Sequence, residues 1–137
     1  MAICQASAGT SRIAARHGAL PGVRIADRTL ERVTCIRLDA SVVTCHSDKE
    51  LAEPNFKGFG YHPLLAYCDN TGEPLAGMMR RGSAGSNTTA DHLQVLGDAI
   101  AALPPKFRRR LMVTLVIWSS NKFSLHFRRS EPSRTRP

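Results

Sequence analysis

Residues 33–44, VTCIRLDASVVT, carry Val33, Cys35, Ile36, Leu38, Val42 and Val43 in one β-branched, apolar run with a single carboxylate, Asp39, in its middle. That pattern predicts one buried β-strand. A carboxylate there needs a partner, water or a cation, because an isolated buried charge is very costly. Two shorter apolar runs follow, residues 61–67 (YHPLLAY) and 73–79 (EPLAGMM). Between them, Asp69, Asn70 and Gly72 are turn formers, so the pair predicts a β-hairpin. Pro63 places the first run at a strand start or an edge. Thr88 followed by Asp91 resembles a capping box, and Leu93, Leu96, Ile100 and Leu103 recur at helical spacing with Ala99 on the same face. Gly97 costs that helix about 1 kcal/mol, and Pro104-Pro105 ends it. Residues 111–118, LMVTLVIW, predict a second apolar strand.

The remaining stretches lack a period. Residues 1–30 allow a short helix at 11–17, broken by Gly18, Pro21 and Gly22, so residues 1–32 are expected to be a loosely structured arm. Residues 45–60, CHSDKELAEPNFKGFG, read as a polar surface loop with one helical turn at 48–52 and solvated charges at Asp48, Lys49, Glu50 and Glu53. Residues 80–86 read as a flexible loop, and residues 119–137 as a basic, disordered tail. The order is strand, hairpin, helix, strand. A helix joining strands of one sheet makes a parallel crossover, whereas a strand beside a hairpin is antiparallel. The expected fold is therefore α/β, a mixed sheet with a helix on one face, in one domain over residues 33–118.

Composition narrows the class. Hydrophobic residues make up 42% of 137 residues, which supports a folded core, and aromatics only 6%, which makes it aliphatic. No apolar run approaches the roughly 20 residues of a membrane helix, and no continuous apolar segment marks a secretory signal. The four cysteines, Cys4, Cys35, Cys45 and Cys68, show no CxxC spacing, as expected of reduced thiols in a cytoplasmic protein. The net charge of +8 is uneven: residues 1–105 hold ten Lys/Arg and ten Asp/Glu, whereas residues 106–137 hold nine and one. Such a segment suits phosphate backbones without sequence specificity. Lys106, Arg108, Arg109 and Arg110 are its first candidate nucleic-acid contacts.

Four stretches narrow the function: LDASVVTCHSDKE (38–50), KGFGYHPLLAYCDNTGEPLAG (57–77), RRGSAGSNTTADH (80–92) and the helix ending ALPP. In order and spacing they resemble the catalytic domain of bacterial insertion-sequence DDE transposases, most nearly the group numbered thirteen-eighty, over roughly residues 36–113. The resemblance implies a partial RNase H-like fold, DNA as substrate, and strand cleavage and transfer by two divalent cations, usually Mg2+, on two Asp and one Glu. Asp39 matches the first metal-binding Asp. The second, expected in a V-R-T-D-S-like pattern after the helix, is missing: Val116 stands about where it belongs, and no Asp or Glu occurs between Pro104 and Ser130. A reading-frame change near Val113 would account for the break, as would decay of an old element. The expectation is a truncated transposase fragment, inactive alone. The alternative is a non-catalytic nucleic-acid-binding remnant acting through its basic segment.

Other residues have simpler readings. His46 and His62 with Cys45 and Cys68 match no zinc-finger spacing. His62 reads as structural, Ser86-Asn87-Thr88 as a helix-capping loop, and Asp91 as a charge suited to a helix N-terminus.

Overall fold

The computed structural model describes Ile13 and residues 18–85 and 88–116. A first hairpin pairs β1 (Val23–Ile25) with β2 (Arg28–Leu30). Part of the expected loose arm is therefore paired. Ala26 and Asp27 both take positive φ, 45° and 62°. A two-residue loop of that handedness matches the twist of the flanking strands. Alanine there gave no turn signal, so the sequence did not announce it. The helix expected at 11–17 lies outside the described residues, apart from Ile13, which is buried in the core.

The central strand is β3 (Thr34–Ala40). The expected single strand over 33–44 divides at residues 41–42, and its remainder, β4 (Val43–Thr44), belongs to a different sheet. Pro63 explains the break. The ladder with the next strand ends at Ala40 opposite Leu64, and Ser41 N–H then donates to Pro63 O at 3.2 Å. Proline has no N–H to carry the ladder further.

β4, β5 (Glu53–Asn55) and β6 (Gly58–Tyr61) form a small antiparallel sheet in the order β4-β6-β5. This replaces the polar loop expected over residues 45–60. Gly60 makes it possible: its φ is 147°, and a Cβ there would fall 2.1 Å from Val43 O. Only glycine lets the two backbones approach so closely.

The predicted hairpin is β7 (Leu64–Cys68) and β8 (Glu73–Met78), with residues 69–72 as its turn and Gly72 at φ 72°. The helix, α1 (Thr89–Ala102), leads through a 3-10 turn (Pro105–Phe107) into β9 (Leu111–Val116). The main sheet has the order β8-β7-β3-β9; β3 pairs antiparallel with β7 and parallel with β9. That is the mixed sheet anticipated from the strand, hairpin, helix, strand order.

α1 packs on β7 and β8. The core between them is aliphatic: Ile36, Leu38, Leu64, Ala66, Leu75, Met78, Val95, Ala99 and Leu103. The buried helix stripe is Val95, Ala99 and Leu103, whereas Leu93 is 64% exposed. At ~100° per residue, Leu93 lies well around the helix from that stripe. The expected capping box also fails to form. Thr88 caps with its backbone only, and the Asp91 carboxylate faces Arg80 instead. No helix among the described residues is long and apolar enough to cross a membrane.

Candidate functional site

Alternation along β3 sends Ile36 and Leu38 toward the helix and Arg37 and Asp39 to the opposite face. Asp39 is half-buried near the strand's end, and its carboxylate accepts a hydrogen bond from Ser41 Oγ at 3.1 Å. Its cross-strand partners are Leu65 on β7 and Val116 on β9. The position anticipated for a second carboxylate is thus beside Asp39, and it holds a valine. Among the described residues, no group of three His, Cys, Asp or Glu could hold a metal ion.

A polar network tethers the other end of β3. Arg37 pairs through Nη2 with Asp69 at 3.2 Å, and its Cζ lies over the Tyr67 ring, 6.0 Å from the centroid. Asn70 ties the hairpin turn to two segments. Its Oδ1 accepts from Cys35 N–H at 2.8 Å, and its Nδ2 donates to Pro21 O at 2.8 Å and Val33 O at 2.9 Å. Asp69 and Asn70, read simply as turn residues, are therefore long-range tethers.

Cys35, Cys45 and Cys68 are free thiols, and Cys35 and Cys68 are fully buried. Burial, aided by the Asp69 charge, pushes the Cys35 thiol up to about 12. The unfolded thiol ionises above its ordinary 9.0, while the folded one stays protonated. Its contribution to stability is therefore complete below pH ~9 and declines as the pH rises toward 12. Iodoacetamide at pH 8 should alkylate the half-buried Cys45 well before Cys35, with Cys35 reacting only once denaturant opens the core; peptide mass mapping reads the order. Equal rates for the two thiols in native protein would contradict it.

Expected loops hold further pairs. Glu53, expected to be solvated, accepts from Arg81 Nη1 at 2.8 Å and from Ser83 Oγ. The Ser83 hydrogen bond, then the Arg81 guanidinium, hold its carboxyl below the usual carboxylate range. Arg80 is buried: Nε donates to His62 O at 3.0 Å, and Nη1 donates to Gly85 O at 2.9 Å and Asp91 Oδ2 at 3.3 Å. The His62 ring meets Ala84 O at 2.6 Å through Nδ1. His62 and Asp91 thus hold the loop entering α1, in keeping with their structural reading. Ser86 and Asn87 lie outside the described residues.

The basic candidates separate. Arg108 turns back on the helix end, with Nε donating to Leu103 O at 2.7 Å and Nη2 to Ala101 O at 2.8 Å. Lys106, Arg109 and Arg110 line one cleft together with Arg32, which the sequence reading had not singled out. Leu111 pairs with Thr34, and Val116 with Asp39, so this cleft sits at the end of the β3–β9 pair away from Asp39. Five residues of strand separate the two, about 16 Å. Arg128, Arg129 and the rest of the basic tail lie outside the described residues.

A family model described as Transposase DDE domain group 1 matches residues 3–124 of the chain. The chain belongs to that family. The match to the transposase domain begins before residue 36 and continues past Val113, so the family pattern extends beyond both limits of the resembling stretches. No curated protein matches the chain, and no solved structure does.

Proposed function

We propose that this transposase-family chain has an RNase H-like fold whose Asp39 is the remnant first metal ligand, and that the 137-residue polypeptide does not cleave DNA by itself. The fold side of this reading rests on the sheet order β8-β7-β3-β9, with β3 and β9 paired parallel and the acidic residue on β3. The family resemblance implies DNA as substrate and divalent cations, usually Mg2+, held between carboxylates of adjacent strands. One observation carries the functional side: Val116 is the parallel-strand partner of Asp39. A single carboxylate with a serine hydroxyl, flanked by leucine and valine, does not fit a two-cation site, so no cleavage step is assigned to it. The chain's place of action is the cytoplasm, where its DNA partner lies.

A magnesium-dependent nicking assay on supercoiled DNA tests this. The wild-type chain is expected to give no product above a metal-free control. Magnesium-dependent nicking that disappears in Asp39→Ala would overturn the inactivity. Val116→Asp places a second carboxylate across from Asp39. It is expected to gain Mn2+ binding by isothermal titration, weak and without nicking, because two hard oxygen donors on neighbouring strands begin a cation site but do not complete it. Loss of that gain in the double variant with Asp39→Ala confirms the pairing; equal binding by both would contradict it.

A second reading, a non-catalytic nucleic-acid-binding remnant, is favoured by the clustering of Lys106, Arg109 and Arg110 on one side of the domain.

A further inference from the structure

We infer that the cleft bounded by residues 18–20, 32–34 and 106–110 is a phosphate-binding site for a DNA strand, with Arg32, Lys106, Arg109 and Arg110 as its cations. This rests on the DNA-binding reading and deepens it, since it names a built site in place of a generally basic segment and includes a residue far from that segment.

Three observations support it. The cleft, about 300 Å³ in volume, has a mostly apolar lining, with these four residues at its boundary and no Asp or Glu among its lining residues. The carboxylate of Glu31 lies against Gly22, just before β1. The cleft's inner wall includes the buried Leu20 and Phe107. A low-dielectric wall beneath several like charges strengthens their field toward an incoming anion.

Secondly, the two cationic segments are fixed to one another. Thr34 N–H donates to Arg110 O at 2.9 Å, where β9 enters beside β3. Arg32 itself has φ 57°, a left-handed conformation uncommon for a side chain other than glycine or asparagine. Such backbone is kept where the surrounding structure imposes it. Here it ends the chain's exit from the first hairpin and puts Arg32 in the wall of the cleft.

Thirdly, the chain separates its cations by task. Arg108, in the middle of the run, is engaged with two helix-end carbonyls, while its neighbours on both sides line the cleft. A merely solvated basic run does not predict that division. The cleft lies about 16 Å from Asp39 along the strands, and contacts to phosphates there would position the duplex without reading its sequence.

The test is fluorescence anisotropy of the full chain with a labelled duplex of about 20 base pairs, titrated with salt, where each lost phosphate contact lowers the log–log salt slope by ~0.9. Arg32→Gln and Arg109→Gln are each expected to weaken binding about three- to ten-fold at low salt and reduce the slope by about one. Arg32→Lys should retain most affinity. Arg108→Gln and Arg24→Gln should bind as wild type, and circular dichroism verifies folding of each variant. If wild type binds but Arg32→Gln and Arg109→Gln match Arg24→Gln, the cleft is overturned while the DNA reading stands; the same holds if only Arg128→Gln and Arg129→Gln weaken binding. If wild type shows no binding even at low salt, both fall.

Discussion

Replacing Arg80 with alanine is expected to destabilise the domain by about 3–5 kcal/mol, the range for removing one partner of a buried, hydrogen-bonded charge pair. Its side chain is only 4% exposed and joins three elements: His62 before β7, Gly85 in the following loop, and Asp91 in the first turn of α1. Alanine would leave the Asp91 carboxylate without its cation and two carbonyls without a donor. It would also leave a void where the guanidinium packs. Arg80→Lys should recover less than half, because one ammonium cannot reproduce the planar fork that reaches His62 O and Gly85 O together. The native domain has a few to about fifteen kcal/mol to lose, so the alanine variant should sit near its unfolding threshold. Urea denaturation followed by circular dichroism measures the difference. A change below 1 kcal/mol would mean that the loop and helix hold without this charge.

Asn70→Ala is expected to cost about 3 kcal/mol, close to 1 kcal/mol for each of its three hydrogen bonds to the backbone. The melting temperature should drop by roughly 10 °C for a chain of this length. The bonds matter because they are long-range: Cys35, Val33 and Pro21 are joined to the β7–β8 turn by one side chain. Asn70→Asp is the sharper control. It retains an acceptor for Cys35 N–H but sets an oxygen against Pro21 O and Val33 O, where donors stood. It should therefore be no more stable than alanine. A thermal melt ranks the three proteins; an aspartate variant near wild type would show that the two Nδ2 bonds contribute nothing.

Both residues lay in stretches whose family pattern was visible, yet their tasks were not. Asn70 read as a turn former and Arg80 as the start of a loop. A turn propensity is local, whereas the partners of Asn70 are 35 to 49 positions away. The same limit hid Arg32, which shares a cleft with residues more than seventy positions later only because β9 lies beside β3. Leu93 illustrates a different limit. Helical spacing placed it on an apolar stripe, but the stripe that faces the sheet is set by how α1 docks on β7 and β8, and Leu93 remains exposed.

Some features followed from the chain alone. Period and turn chemistry identified β3, the β7–β8 hairpin, α1 and β9, because each is decided by neighbours within a few residues. The same reasoning yielded the parallel β3–β9 and antiparallel β3–β7 pairings, since a helix crossover and a tight turn constrain strand direction. Family membership was also legible, carried by stretches within residues 38–105 and matched over residues 3–124. Tertiary structure decided the rest. It split the first strand at Pro63, built a second small sheet around Gly60, and set Val116 beside Asp39. It also divided one run of basic residues between a helix end and a cleft. Those outcomes depend on register and on which backbone groups find partners across the fold, and local pattern does not encode them.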